Sequence, residues 1–481
     1  MDSRLAAVLA LPAAMATATL IVGCGGGDGG GGPGPESRAV VASGPVAGFG
    51  SLYLNGIRYD TTGVEVQVDG AAGHVADLQV GHVVVLEGRA SDGDSRAETL
   101  RLDRDLIGPV SSVASGAPQF VVLGQTVTVS SETSFGDAIE PASILGLKTG
   151  NVVEVSGLRN AAGRIDATRV DIHTAAGPLL VTGPVSALDT AQKRFLIDAL
   201  PVDYSAAAVD GFATGQPANG DRVRVSGPVP GASGVMAATR VASIDDARAL
   251  PPDGGTVRLD GRITRFASST DFDVAGWKVT TTATTEYSFG TAADLALDKR
   301  VEVQGSVDAG GVAAAASLRF RPLNAIRIVS EVKSIDLDNR RLTAMGVTAT
   351  TGAATRFEDR TDAGLRTFRL ADLHTGDWVE LRGYEDPAGS GKVQAARLVR
   401  VDSQATHVLR GPLRLADDPD LEILEVPAKT SSATFFLRED AGQIAAAEFF
   451  GLPLGTIVEA SGAFDGTTLT ANNAIVKTRD D

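Results

Sequence analysis

A single cysteine in 481 residues excludes any disulfide within one chain, so no covalent brace holds whatever it folds into. Aromatic residues make up only 5% of the chain, and hydrophobic interiors must therefore be assembled mainly from Val, Leu, Ile and Ala around a few Phe. Histidine is equally sparse. His74, His82, His173, His374 and His407 lie far apart, and no two share the helix or strand spacing of a metal site, so each is expected at a surface or in a turn. Neither H-E-x-x-H nor G-x-S-x-G occurs. Beyond the first two dozen residues no segment is apolar for 18 positions, which excludes a further membrane-spanning helix. Basic surface is also lacking. At a net charge of −16 the chain is poorly suited to phosphate backbones, whose binding is driven by counterion release from cationic surfaces, and no nucleic-acid partner is expected.

What the chain does have is one phrase written six times: a turn residue, alternating Val or Ile with polar residues, and a closing glycine. The copies run Gly81 to Gly88, Gly150 to Gly157, Gly220 to Gly227, Asp298 to Gly305, Gly376 to Gly383 and Gly455 to Gly462, a period of roughly 70 to 80 residues. Flanking text repeats with it. Each unit opens on a turn and a short apolar stretch, as in Gly108-Pro109-Val110 or Gly183-Pro184-Val185. A second alternation follows, such as Phe195-Leu196-Ile197. Four units then place a Thr close to an aromatic: Thr133 with Phe135, Thr285 with Tyr287, Thr355 with Phe357 and Thr434 with Phe435. A return segment such as Ala167-Thr168-Arg169-Val170 completes the unit.

Alternation with period two places one set of side chains inward and the other toward water, the pattern of half-buried antiparallel strands. About five strands per unit, with one helical turn near Ile144 to Leu147 or Ala293 to Leu297, predict an all-β chain. Its architecture is a tandem array of about six small five-stranded OB-like β-barrels, since closure removes exposed sheet edges. A small open sandwich satisfies the same pattern. The expected units span residues 41–107, 108–177, 178–250, 251–324, 325–404 and 405–481. Domains this small bury only about 60% of their unfolded surface, so neighbours are expected to support one another. Threaded in line through short connections, six units would reach on the order of 150 Å.

Residues 1–23 differ from the rest. A short polar start precedes an apolar run from Leu5 to Val22, and Leu20-Ile21-Val22-Gly23-Cys24 resembles the bacterial lipobox, in which the cysteine becomes the lipid-carrying N-terminus. Cys24 is the chain's sole cysteine. An uncleaved membrane helix is the alternative, opposed by Pro12 and the sharp end at Gly23-Cys24. Residues 24–40, with Gly25 to Gly32 broken once by Asp28, read as a lipidated cysteine on a flexible tether. Gly25 after the cysteine resembles lipoproteins passed to the outer membrane, and multiple acyl chains would supply a stable hold.

Lipobox, glycine tether and serial β-units with a G-D-x-V-E-V-x-G phrase together resemble a family of bacterial envelope lipoprotein repeats catalogued only as a domain of unknown function. Gly150 to Val170 and Gly220 to Val241 are the best copies, while Asp298 and Ala460 depart from the phrase. The resemblance implies fold and location and transfers no catalytic residue.

Remaining motifs are weak. Gly389-Ser390-Gly391-Lys392 looks like half a phosphate loop, but Asp386 and Val393 occupy positions where a glycine and a Ser or Thr are needed, so a hairpin loop is expected. Asp336 to Asn339 and Asp417 to Asp420 lack EF-hand spacing and read as turns, with calcium bridging between units left open. Glu154, Glu302, Glu380 and Glu459 share one phrase position and are expected to face outward for solubility, or as a carboxylate row if the units stack. The fifth unit is rich in Arg (Arg340, Arg341, Arg356, Arg360, Arg366, Arg369), balanced by its acids.

The expected function is a non-enzymatic, envelope-anchored array acting as spacer, adhesin or binding module, held to the outer membrane by the lipid on Cys24, with a polysaccharide, cell-wall or protein ligand. A carbohydrate or cell-wall binding array is the alternative, requiring Trp277, Trp378, Tyr53, Tyr287 and Tyr384 to cluster in the open. A hydrolase is the weakest reading. No catalytic residue, cofactor or metal is expected.

Overall fold

In a computed structural model of the chain, residues 37–477 are described except 92–93, 232, 245–249 and 253. Six five-stranded barrels occupy 38–102, 106–172, 179–243, 256–320, 326–401 and 407–476. Repeat 5 illustrates the ring. Its opening strand Ile326–Asp336 pairs with Arg341–Ala344 on one side and with the phrase strand Trp378–Glu385 on the other. Arg341–Ala344 makes a hairpin with Val347–Thr350, which runs parallel to the return strand Val393–Val401, and that strand pairs with the phrase strand to close the circle. Repeats 2, 4 and 6 have the same order. Repeat 1 closes through a single parallel bridge, Asp60 to Arg96, and in repeat 3 the opening and return strands are each broken in two. The first barrel begins at Arg38, inside the stretch read as tether.

The phrase acquires a physical meaning here. Its first glycine has φ near +90° in five repeats, and in repeat 4 Asp298 takes the position at φ 66°, a conformation Asp tolerates. Its closing glycine faces a β-bulge in the return strand. In repeat 5 the register slips between Arg382 and Gly383, and a Cβ on Gly383 would collide with the Gln394 carbonyl. The recurrent Thr satisfies the carbonyl freed beside that bulge: Thr133, Thr285, Thr355 and Thr434 each donate at 2.7 Å to Ala167, Ala315, Ala395 and Ala471. The expected helical turns are single 3-10 turns, Ile144–Gly146 and Ala292–Asp294, while repeat 6 has a five-residue α-helix, Ala446–Phe450.

The line of independent units is not what forms. Barrels join in pairs through their opening strands: repeat 2 with repeat 3 (Val181 opposite Leu106) and repeat 5 with repeat 6 (Ile328 opposite Leu409), both antiparallel. Repeat 1 pairs with repeat 4 across three intervening connections, in parallel, with Val40 opposite Thr256 and Ser43 opposite Leu259. Asn55 of repeat 1 fastens this joint by donating 2.9 Å hydrogen bonds to the Ser43 and Arg258 carbonyls. Within the antiparallel pairs the interiors merge, so Val110, Phe120 and Ile165 of repeat 2 share one apolar cluster with Phe195, Ile197 and Val225 of repeat 3. Repeats 5 and 6 likewise share a core, while repeats 1 and 4 keep their own. All six belong to one compact unit starting at Ser37. What the strand pattern could not convey is that the barrels' outer walls bind one another out of sequence.

Small-angle scattering on residues 37–481 is expected to give a radius of gyration of about 22–25 Å, the scaling value for a compact chain, and a value suited to a 150 Å rod would contradict this packing. Gly383→Ala is expected to lower stability by about 1–3 kcal/mol through overpacking at the bulge. Thr355→Val should cost about the same by leaving the buried Ala395 carbonyl unsatisfied, both read from denaturant midpoints.

Candidate functional site

Outward-facing positions in one barrel become interface positions once barrels pack, and charged side chains there must find partners. Glu154, Glu302, Glu380 and Glu459 do face out of their own barrels, but the solubility reading fails because each is held in an ion pair at a partly buried seam. Glu154 accepts from Arg104 at 2.8 Å, Glu302 from Arg321 at 2.6 Å, Glu380 from Arg382 at 2.7 Å and Glu459 from Arg410 at 2.9 Å. Arg327 of repeat 5 bridges Glu380 of its own barrel (3.0 Å) and Glu459 of repeat 6 (3.5 Å).

The densest seam centres on Glu132, in the loop of repeat 2 that precedes Thr133. Its carboxylate is ion-paired with Arg300 and, at 3.0 Å, Arg321, both from repeat 4, and accepts from Asn324 Nδ2 at 3.0 Å. Its backbone carbonyl accepts from Arg356 of repeat 5 at 2.6 Å. Arg300 in turn forks onto Asp260 with two 2.8 Å bonds. Two residues on, Ser134 donates to Glu358 of repeat 5 at 2.7 Å, and Arg397 grips the same carboxylate while reaching the Ser131 and Thr133 carbonyls. Burial alone would raise the Glu132 pKa; Arg321, Arg300 and Arg356 outweigh it and hold it well below the usual carboxylate range. Glu358, buried but gripped by Arg397 and Arg360, is held down to about 2.

Sequence reading did not single out Glu132, although a signal exists. The residue before the recurrent Thr is Thr284, Ala354 or Ala433 in the other three repeats that carry it, and only repeat 2 has a charge there. The arginines of repeat 5 were noticed, but not their use. Arg366 lies 3.9 Å over the Phe49 ring and Arg369 lies 4.2 Å over the Tyr53 ring, both in repeat 1, while Arg340, in a turn, and Arg341, at the start of the strand that follows, are exposed.

The histidines are a correction. His82 of repeat 1 is 3% exposed, not at a surface, and it meets Glu154 and Asp171 of repeat 2; one ligand atom from each of the three lies within 4.8 Å of the others. His173 joins them, 3.1 Å from Glu154. Barrel packing, which sequence spacing does not encode, assembles this group. Its chemistry is that of a closed polar seam. Burial, with Arg169 and Arg104 nearby, keeps His82 well below its usual pKa and neutral. Its Nδ1 accepts the Gln79 N–H at 3.1 Å, so the ring proton sits on Nε2 facing Glu154 at 3.8 Å. Glu154 and Asp171 already neutralise Arg104 and Arg169. A cation would have to displace both guanidiniums, and the donor set does not fit a metal centre. His374 is exposed, His74 flanks a 3-10 turn, and His407 stacks on Trp378 at 4.8 Å.

The other motifs resolve as turns. Amides of Gly389 and Gly391 bind the Glu385 carboxylate, so the Gly389 to Lys392 loop is filled by its own chain's acid. Asp336 caps the Asn339 amide at 3.0 Å, and Asp417 to Asp420 is a hairpin turn. The five aromatic candidates do not gather. Trp277 is buried in the repeat 4 core, Tyr287 packs against that core, Tyr384 packs edge-on to Phe289 between repeats 4 and 5, and Tyr53 and Trp378 are covered by Arg369 and His407. Cys24 lies outside the described residues.

Glu132→Ala is expected to destabilise the protein by about 3–5 kcal/mol, because it leaves buried arginines uncompensated, as read by chemical denaturation. A carboxylate whose folded pKa is depressed contributes stability above its unfolded value and loses it as pH falls through the folded one. Unfolding followed by circular dichroism should therefore set in below about pH 4.3 and continue toward pH 2, with the variant showing a shallower dependence in that window.

Comparison with known sequences agrees with this division of the chain. No curated protein matches it. One sequence family matches four times in tandem, over residues 107–171, 182–242, 260–318 and 331–398, which fall within repeats 2 to 5 and together exceed half of the chain. Repeats 1 and 6 fall outside the matched residues, yet repeat 6 has the strand order of repeats 2, 4 and 5, and repeat 1 closes its ring through the Asp60 to Arg96 bridge. The chain therefore belongs to the family described as Domain of unknown function (DUF5666).

Proposed function

We propose that this chain is a non-enzymatic, lipid-anchored protein of the bacterial cell envelope whose six barrels act as one binding or adhesion body. The observation that carries the reading is the fate of the repeated charges. Arg327 of repeat 5 reaches the phrase carboxylate Glu459 of repeat 6, Arg300 of repeat 4 pairs with Glu132 of repeat 2, and the other phrase carboxylates are neutralised at their own barrel walls, which supports a role in assembly and not in a reaction. Among the described residues, the tightest grouping of histidine with carboxylates, His82 with Glu154 and Asp171, is closed by arginines, which disfavours a general base there. The lipobox-like stretch ending at Cys24 and the glycine run behind it support a fatty anchor on a flexible tether, with the outer membrane as its destination. Ligands of the polysaccharide, cell-wall or protein class fit such an exposed body. Recognition of sugars would rest mainly on polar groups, since the Trp and Tyr candidates are engaged in packing.

Metabolic labelling with radioactive palmitate in a bacterial host tests the anchor. Wild type is expected to take up label and sediment with outer membranes, and Cys24→Ser to do neither. A Cys24→Ser chain that stayed membrane-bound would refute lipid anchoring, whereas a glycan and cell-wall screen addresses the ligand.

A further inference from the structure

The seam between repeats 2 and 5 does not close completely. It encloses a cavity of about 360 Å³, at the small end of the range for ligand pockets. Four guanidiniums line it, those of Arg327, Arg360, Arg382 and Arg397, against one lining carboxylate, Glu380. Two further acids stand behind the wall: Glu358, gripped in a fork by Arg397, and Glu459, which Arg327 shares with Arg410. Asp137 stands near Arg360 as well. Arg360 is the least served, its guanidinium reaching Glu358 only at 3.9 Å. Burial and the crowding of Arg327, Arg397 and Arg410 push Arg382 down to about 10 despite Glu380, and burial lowers Arg360 as well. Opposite the charges, repeat 2 contributes an apolar wall of Val129, Phe135 and Ile144, while exposed Ser130 and Ala142 form the mouth.

We propose that this cavity is a binding site for a small organic oxyanion, a phosphomonoester or carboxylate carried on an apolar body. The anionic head sits among Arg360, Arg382 and Arg397, where planar guanidiniums offer paired donors to two oxygens. The body lies along Val129, Phe135 and Ile144. An occupant of this kind adds a negative charge facing the lining guanidiniums at the joint between repeats 2 and 5, so binding and the stability of that joint are coupled.

Isothermal titration and thermal melts of the full chain test the site with phenyl phosphate, benzoate and inorganic phosphate. Saturable binding of phenyl phosphate or benzoate with a raised melting temperature is expected, the tighter of the two identifying the head group, and inorganic phosphate should bind about tenfold more weakly for want of the apolar contact. Arg360→Gln, which breaks no close ion pair, should weaken binding by about tenfold or more. Ala142→Trp should block the mouth while leaving every arginine in place, so loss of binding there marks this cavity even if Arg360→Gln melts early. Absence of saturable binding by wild type, or unchanged binding in the Ala142→Trp chain, would overturn the assignment; equal binding of inorganic phosphate would overturn the role of the apolar wall. Cys24→Ser should bind as wild type does, so a failure here is separable from a failure of the anchor.

Discussion

Glu132 is one carboxylate at the meeting of three barrels, and its position illustrates the constraint on the whole assembly. A charge taken out of water is costly unless opposite charges and hydrogen bonds surround it, and here Arg300, Arg321 and Asn324 converge on its carboxylate while Arg356 holds its carbonyl. Such an arrangement tolerates little displacement. A slip of one barrel against another would strand several guanidiniums at once, so the ionic seams specify a single arrangement of walls that apolar contact alone would leave loosely defined. The interiors, made of Val, Leu and Ala with few aromatics, supply each barrel's cohesion; the seams supply their mutual order.

Much of the barrel itself was legible in the sequence. Alternation in stretches such as Val152 to Val155 fixes which side chains turn inward, and the glycines at both ends of the phrase mark a left-handed turn and a bulge. The recurrent Thr was visible as a pattern, although its purpose emerges only with the carbonyl it caps. What could not be read is the matching of outer walls. His82 and Glu154 lie on either side of a repeat boundary, and two whole barrels stand between Ser134 and Glu358 in the chain; no periodicity within a repeat encodes which wall meets which. Glu154, Glu302, Glu380, Glu459 and His82 were judged correctly for an isolated barrel and wrongly for a packed one, whereas His74 and His374 lie at a turn and a surface as expected.

The same reasoning explains why the candidate cavity lies where it does. Barrels joined antiparallel through opening strands, as in repeats 5 and 6, fuse their cores. Repeats 2 and 5 meet without strand pairing, through long side chains that reach across to carbonyls and carboxylates, and a cavity remains between them. Arginine is the residue that can span such gaps, its long stem lying on apolar surface while its head seeks oxygen.

The parallel joint between the strands Arg38–Gly48 and Thr256–Ser268 has a temporal side. A ribosome delivers repeat 1 well before the edge it needs exists, and in that interval a naked strand with unpaired amides is available to any passing chain. Closure over so long a stretch of polypeptide is entropically slow. Copies folding side by side would thus be exposed to exchanging their first barrels until repeat 4 covers that edge.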